Sequence, residues 1–335
     1  MTVHDQTGSH TDESPYEALS HLSQDDLDAG HWAFGTWFED PLAGVDTTVP
    51  EGVDPAVLAA YCLMLGDDAL ISCQRLSEWS SRAPDLEEDI ALTNVALDLL
   101  GQARLLLARA AAADPAVVPV LPEGSPVPPE DALAFFRDDL QFRSVRMAEL
   151  PNGDFAETMV RLLVLSTWRL AVLERLRTSR DAVLSAIAVK GVKELAYHRD
   201  LAARWVVTLA QGTEESRRRT TAALVSLWPW YDELFAPHEV TTAMVDAGVL
   251  EPGRPGGSAA DVGTDTLRAD VGAVLDQVFE AAGLDVEPLR QAQGPYAPRA
   301  GVSGRTGRDG MHTEALSRLL AEMQSVARAH PRGQW

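Results

Sequence analysis

Cysteine is nearly missing from this chain: 335 residues contain two, Cys62 and Cys73. They lie on one helical pattern, roughly 16 Å apart along a helix axis, too far for a disulfide. Two such thiols supply no metal framework either, so both read as small buried hydrophobes. Basic residues are also scarce. Lys and Arg total 28 against 50 Asp and Glu, a formal net charge of -22. That balance argues against nucleic acid, whose binding needs a basic surface to displace counterions, and against an anionic membrane. A polyphosphate ligand such as a coenzyme A ester would need a local basic patch against an unfavourable overall field. No uninterrupted apolar run reaches 18 residues, so no membrane crossing is expected. The first residues, MTVHDQTGSHTDESPYE, lack a basic region followed by an apolar one, so a cytoplasmic location is expected. Gly-rich phosphate loops, nucleophile elbows and Cys/His zinc spacings are missing as well. So are internal repeats and any strand-like alternation longer than a few residues.

What remains is helix. Hydrophobic residues make up 46% and charged residues 23%, a globular composition in a chain long enough for a large core. Residues 1–54 read as an N-terminal extension, partly irregular. A capping box at Ser14–Glu17 opens a short helix there, and the aromatic run Trp32–Phe38 is expected to pack onto the body or onto a partner. Residues 55–335 read as one all-α domain of about eight or nine helices. The expected spans are 55–80, then a helix opened by Asp85 with Glu88 at N3 and running to about 113. A Pro-rich connection leads to a helix over 130–148. Asp154 opens the next, to about 176, followed by 180–210, one from Thr213 to near Trp228, 237–247, 264–283 and a last helix from His312 to about Ala329. The stretch 284–310 reads as irregular.

The apolar rows carry polar side chains. Asp67 and Asp68 sit among Leu65, Ala69 and Leu70, and Asn94, Asp98 and Gln102 among Val95, Leu97, Leu99 and Leu100. A buried carboxylate without a partner costs several kcal/mol, so the question is whether these polar groups hold a metal or hold each other. Di-iron carboxylate bundles use Glu-x-x-His pairs, because adjacent turns of one helix face must reach a single metal. No Glu-x-x-His occurs. Acids three residues before a histidine are limited to Asp28/His31 and Asp309/His312, both beside glycine in irregular stretches. Glu194 and His198 are four apart, as are Asp98 and Gln102; such pairs share a helix face, but an amide stands where imidazole is wanted. The favoured reading is a hydrogen-bonded polar core of Asp67, Asp68, Asn94, Asp98, Gln102, Glu194 and His198 that fixes helix register. No catalytic residue and no metal ligand is assigned. Asp154 and Glu157 read as a helix cap, Arg217–Arg219 as a solvated, salt-bridged surface, and Gly310–Glu314 as a loop-to-helix junction.

Four blocks then carry a resemblance: LGDDALISCQRLSEWSSRAPDLEEDIALTNVALDLLGQAR, LPNGDFAETMVR, VKELAYHRDLAARWVVTLAQGTEES and GRDGMHTEALSRLLAEMQSVARAHP. In this order they resemble the C subunits of bacterial phenylacetyl-CoA epoxidase (ring-oxygenase) complexes, over about residues 61–335 with 284–310 variable. The resemblance implies a ferritin-like helical bundle with extra helices and a part in aerobic phenylacetate breakdown. It implies no cofactor in this chain, whose role would be structural, and leaves Glu194 and His198, with Asp67 and Asp98, as candidates for a vestigial, metal-free core. The di-iron site would belong to a catalytic partner subunit that binds the coenzyme A thioester. Further partners would be a small B subunit and a reductase delivering electrons from NADPH, with no nucleic acid and no membrane. Two rival readings come from other classes: a di-metal carboxylate oxygenase with an altered ligand set, and a regulatory helical binding module.

Overall fold

The computed structural model describes residues 42, 44–251, 264–291 and 305–333. The expected helix at 14–22, the Trp32–Phe38 segment, the Asp28/His31 pair and most of the Gly-rich loop after Glu251 lie outside these residues.

The unit from Gly44 onward is built on four long helices. Helix α1 (Pro55–Ser77) and helix α2 (Leu86–Ala113) form one hairpin. Asp54 caps α1 by accepting from the Ala56 amide, and Asp85 caps α2 by accepting from the amides of Glu87 and Glu88, as short polar side chains do at the orphan donors of a first turn. Helix α3 (Pro129–Phe135) and helix α4 (Arg146–Glu149) are short. Helix α5 (Phe155–Glu174) and helix α6 (Ala182–Gln211) make the second hairpin, capped by Asp154 and Asp181. Helix α7 (Glu214–Leu227), capped by Thr213, packs on both α5 and α6. Then come α8 (Glu239–Asp246), α9 (Thr264–Ala282), α10 (Glu287–Gln291), α11 (Glu314–Met323) and α12 (Ser325–Ala329). Among the described residues there is no strand. The core is the interior of the two hairpins, with Leu58, Ile71, Leu106, Leu107, Met159, Leu163 and Leu173 fully buried. Cys62 and Cys73 are buried free thiols.

One expected helix does not form. In place of a continuous helix over 130–148 there are α3, a 3-10 turn at Asp139–Gln141 and the four-residue α4. The cause is long-range. The Arg143 amide donates to Asp67 (2.8 Å) and the Val145 amide to Asp68 (2.9 Å), and neither could do so while bonded within a helix. Arg137, nearly fully buried, donates from both Nη atoms to Asp67, the Nη1 contact being 3.0 Å. Its guanidinium also lies over the Phe142 ring, 4.3 Å from the centroid. The two acids of α1 thus draw the 137–145 backbone across the bundle. The last expected helix is likewise divided, at Gln324, whose side-chain amide donates to the carbonyls of Ala134 and Arg137 (3.0 Å each).

Asp68 meets a second guanidinium from the far end of the chain. Arg308 donates to Asp68 Oδ1 and Oδ2 (3.0 and 2.7 Å) and to the carbonyls of Met64 and Arg143. It is delivered by a tight turn, Gly307–Gly310, pressed onto the 140–144 segment. A Cβ on Gly307 would stand 2.0 Å from the Ser144 carbonyl oxygen; Gly310 has φ +77° and would bring a Cβ to 2.4 Å from that of Leu140. Only glycine fits either place.

Among the described residues two helices, α1 and α2, are long and apolar enough by length and composition to cross a membrane, although neither contains the uninterrupted run sought in the sequence. In α1 that apolar stretch is 78% buried inside the unit; in α2 it is 44% buried.

Removing one partner of a buried ion pair costs about 3–5 kcal/mol, because a charge is left uncompensated. Arg308→Met is therefore expected to lower unfolding free energy by about that amount in urea titrations. Asp68→Asn is expected to cost less in that background than in the wild type. Additive losses in the cycle would show that the two side chains do not depend on each other.

Candidate functional site

The polar side chains singled out in the sequence fall into two groups and one outlier. Asp67 and Asp68 belong to the guanidinium clamps just described, on the α1 side. Burial pushes the Asp68 carboxyl up, with Arg308 acting against it. Four others meet between α2 and α6. His198 Nε2 lies 2.9 Å from Asp98 Oδ2, and Gln102 Nε2 donates to Glu194 Oε2 (2.9 Å). Glu194 also faces Lys190 at 3.5 Å. The i, i+4 partners are thus not chelating pairs. Each reaches across to the other helix, making two rungs one turn apart. The His198 and Gln102 side chains are buried, whereas that of Asp98 is 36% exposed.

Asn94 is the outlier and corrects the sequence reading. It is exposed, because it lies on the same stripe of α2 as Leu86, Ile90 and Leu97, which face outward at 68%, 52% and 55% exposure. The four-residue step from Asn94 to Asp98 crosses the boundary between that outer stripe and the α6-facing edge.

The groups that organise the interior are arginines. Arg169, in the middle of α5, donates from Nε to Gln102 Oε1 (3.0 Å) and from Nη1 to the Leu65 carbonyl (2.9 Å), so it ties α1, α2 and α5 together. Arg161, two turns earlier, donates to the carbonyls of Leu150 and Pro151 and to the Asn152 side chain. Arg109 of α2 pairs with Asp181, the cap of α6. A signal for these was available: each interrupts an apolar helical run, MVRLLVL, STWRLAVL and LLLARAAAA. Arg137 and Arg308, in short polar segments, offered none.

A metal needs carboxylate and imidazole donors converging with free lone pairs. Here both oxygens of Asp67 and Asp68 accept from guanidinium groups, Glu194 accepts from an amide, and a guanidinium occupies the space between helices. Among the described residues no group of three or more His, Cys, Asp or Glu side chains is placed to hold a metal ion. The donor set does not fit one.

His312 sits outside the bundle interior but is built into the fold. Its Nδ1 is 2.7 Å from Glu149 Oε2 and its Nε2 3.0 Å from the Phe142 carbonyl, while the Thr313 amide donates to Glu149 Oε1 (2.5 Å). Burial opposes the charged imidazole, but the hydrogen bond and charge of Glu149 outweigh it, and the pKa is raised. A raised folded-state pKa stabilises most when the group is protonated in both states and loses that contribution as pH rises through the folded value. The wild-type advantage over His312→Gln is therefore expected to be full below about pH 6.5 and to shrink toward alkaline pH, read from urea unfolding at a series of pH values. A constant difference would mean that His312 acts without its charge.

Comparison with known proteins places this architecture. The sequence profile of the phenylacetic acid catabolic protein family matches residues 45–335. The protein of Escherichia coli (strain K12) named as the C subunit of 1,2-phenylacetyl-CoA epoxidase is 40% identical over 278 residues, covering 83% of this chain and 99% of that protein. The two long hairpins have the ferritin-like helical fold of that group. On the profile match and the near-complete alignment together, the chain belongs to the phenylacetic acid catabolic protein family.

Proposed function

We propose that this chain is a structural, non-catalytic subunit of a multicomponent oxygenase that epoxidises the aromatic ring of phenylacetyl-CoA. Its main partner in this reading is the catalytic subunit, which carries the di-iron site. A small B subunit and an NADPH-dependent reductase complete the complex, in the cytoplasm. Residues 1–54 act as an extension to the helical domain. The E. coli relative's name supplies the reaction and the status of a subunit. The donor set supports the non-catalytic role, because its carboxylates are occupied by guanidinium and amide groups.

The observation that carries the reading is the outer stripe of α2. Leu86, Ile90, Leu97 and Leu100 recur along one side at 68%, 52%, 55% and 38% exposure, and Val189 and Tyr197 of the adjoining α6 are 45% and 46% exposed. A helix this apolar and less than half buried suits the largely apolar patch of a permanent subunit interface, with Thr93 and Asn94 among its exposed residues. Isolated exposed leucines are ordinary; a run of them along one helix face is not.

Co-expression of the full chain with the di-iron subunit tests this. The two are expected to co-purify, and phenylacetyl-CoA turnover is expected to require both. Leu97→Asp should reduce complex recovery at least tenfold, about 1.4 kcal/mol or more, while leaving the melting temperature of the isolated chain within a few degrees. A catalytic subunit fully active alone, or a wild-type chain that never co-purifies with it, would overturn the reading.

A further inference from the structure

The chain has 26 arginines but only two lysines, Lys190 and Lys193. Both stand on α6, one turn apart, and both are exposed. Val189, Lys193 and Tyr197 recur at four-residue steps, so Lys193 lies on the same outward side as those two apolar residues. The rungs between α2 and α6 set the register. Asp98 meets His198 and Gln102 meets Glu194, so the two helices run antiparallel. Tyr197 therefore stands beside the Leu97–Leu100 turn of α2, and Lys193 beside Arg104. Arg104 is exposed and continues the Leu97 and Leu100 stripe by one more turn. Three cations thus close one end of the apolar face, in a chain of net charge -22.

Folding gives these lysines little to do. Lys190 faces Glu194 at 3.5 Å, but its side chain is 43% exposed against 15% for the acid, so the ammonium is outermost. Lysine placed four residues before glutamate is also the less favourable order on a helix. Among the described residues no acid pairs with Lys193. Neither lysine lies in the last turn of α6, where the helix dipole would favour a cation. Arg104 reaches Glu130 at 3.6 Å, and that acid too is more recessed than its partner. Of the other acids nearby, Asp98 is held by His198 and Asp200 by Arg204. An approaching surface therefore meets positive charge at this end of the stripe. The opposite end carries Glu87, Glu88 and Asp89, first-turn acids that suit the N-terminus of α2. Lysine also differs from arginine in kind. A flexible, strongly hydrated point charge fits the polar rim of an interface rather than its core.

We propose that Lys190, Lys193 and Arg104 form the basic rim of the subunit interface and engage an acidic segment of the catalytic subunit. This interface chemistry rests on the subunit reading above and adds what the partner must present. Aspartate or glutamate side chains would flank an apolar surface that covers Leu97, Leu100 and Tyr197. Charge at a rim acts on encounter and orientation more than on final affinity. It gives the face a direction, because a partner docked the other way round would set its acids against Glu87, Glu88 and Asp89.

Zero-length carbodiimide coupling of the complex of the full chain with the catalytic subunit tests it. The reagent joins an amine to a carboxylate in contact with it, and apart from the amino terminus this chain offers only the two lysines. Peptide mapping is expected to find Lys193 joined to an aspartate or glutamate of the catalytic subunit. Links that run only to residues 1–41 of the same chain, or only to a second copy of it, overturn the proposal. So does a complex in which Lys193 takes no link. Lys193→Glu is expected to slow association about threefold or more at low salt, a gap that closes as added salt screens the charges. The melting temperature of the isolated variant is expected to match the wild type. Equal association rates at every salt concentration also overturn the proposal, while leaving the subunit reading in place. A wild-type chain that never binds the catalytic subunit removes that reading, and the basic rim with it.

Discussion

The structure depends on two neighbouring carboxylates meeting two guanidinium groups inside the bundle. Asp67 and Asp68 follow one another on a largely buried helix, so their side chains leave α1 about 100° apart. Each must be answered from a different direction. Arg137 comes from the segment after α3, and Arg308 from a glycine turn some 240 residues downstream of Asp68. Because a buried carboxylate has more lone pairs than one arginine fills, the amides of Arg143 and Val145 are recruited as well. That recruitment breaks the helix over 130–148 and sets the irregular path of the chain there. Glu233 repeats the device nearby, accepting from the Gly307 amide (2.8 Å) and from Arg146 Nε (2.9 Å). The non-helical parts of the molecule are thus held by acids projecting from its helical parts.

This explains what could be seen in the sequence. Helix beginnings at Asp85, Asp154 and Thr213 were legible because a cap is a contact over two or three residues. The resemblance of four blocks carried the ferritin-like fold. The division at Gln324 and the loss of the 130–148 helix were not legible, since each is caused by a bond to a residue more than sixty positions away. The inward acids at 67 and 68 were found from their place in apolar rows, but their partners lay in segments with no periodicity. Asn94 misled for the opposite reason. Apolar residues surround it in sequence, yet Leu86, Ile90 and Leu97 point outward with it, and amphipathic reasoning takes any apolar stripe to be the inner one. The exposed stripe is itself the mark of a helix with a second surface to cover.

Two faces of α2 therefore do different work. The inner edge carries Asp98 and Gln102, which rung onto His198 and Glu194 of α6 and fix the register of the hairpins. The outer stripe, at 38% to 68% exposure, is left uncovered by the described residues. A ferritin-like bundle that used its inward acids for a metal would leave its arginines elsewhere. Here arginines enter the interior from α2, α5 and two loops: acids serve as counter-charges to Arg109, Arg137 and Arg308, while a side-chain amide and a carbonyl accept from Arg169. Such a bundle keeps its shape by ion pairs and packing, which suits a subunit whose contribution is a surface.

This interior is organised around guanidinium groups and, among the described residues, has no donor set for a metal. Anaerobic titration of the chelator-treated full chain with ferrous iron tests it most directly, reading bound iron per chain and the melting temperature together. Far less than one iron per chain and no change in melting temperature are expected. One or two irons bound per chain with a raised melting temperature, both lost in Glu194→Ala or His198→Ala, would contradict it.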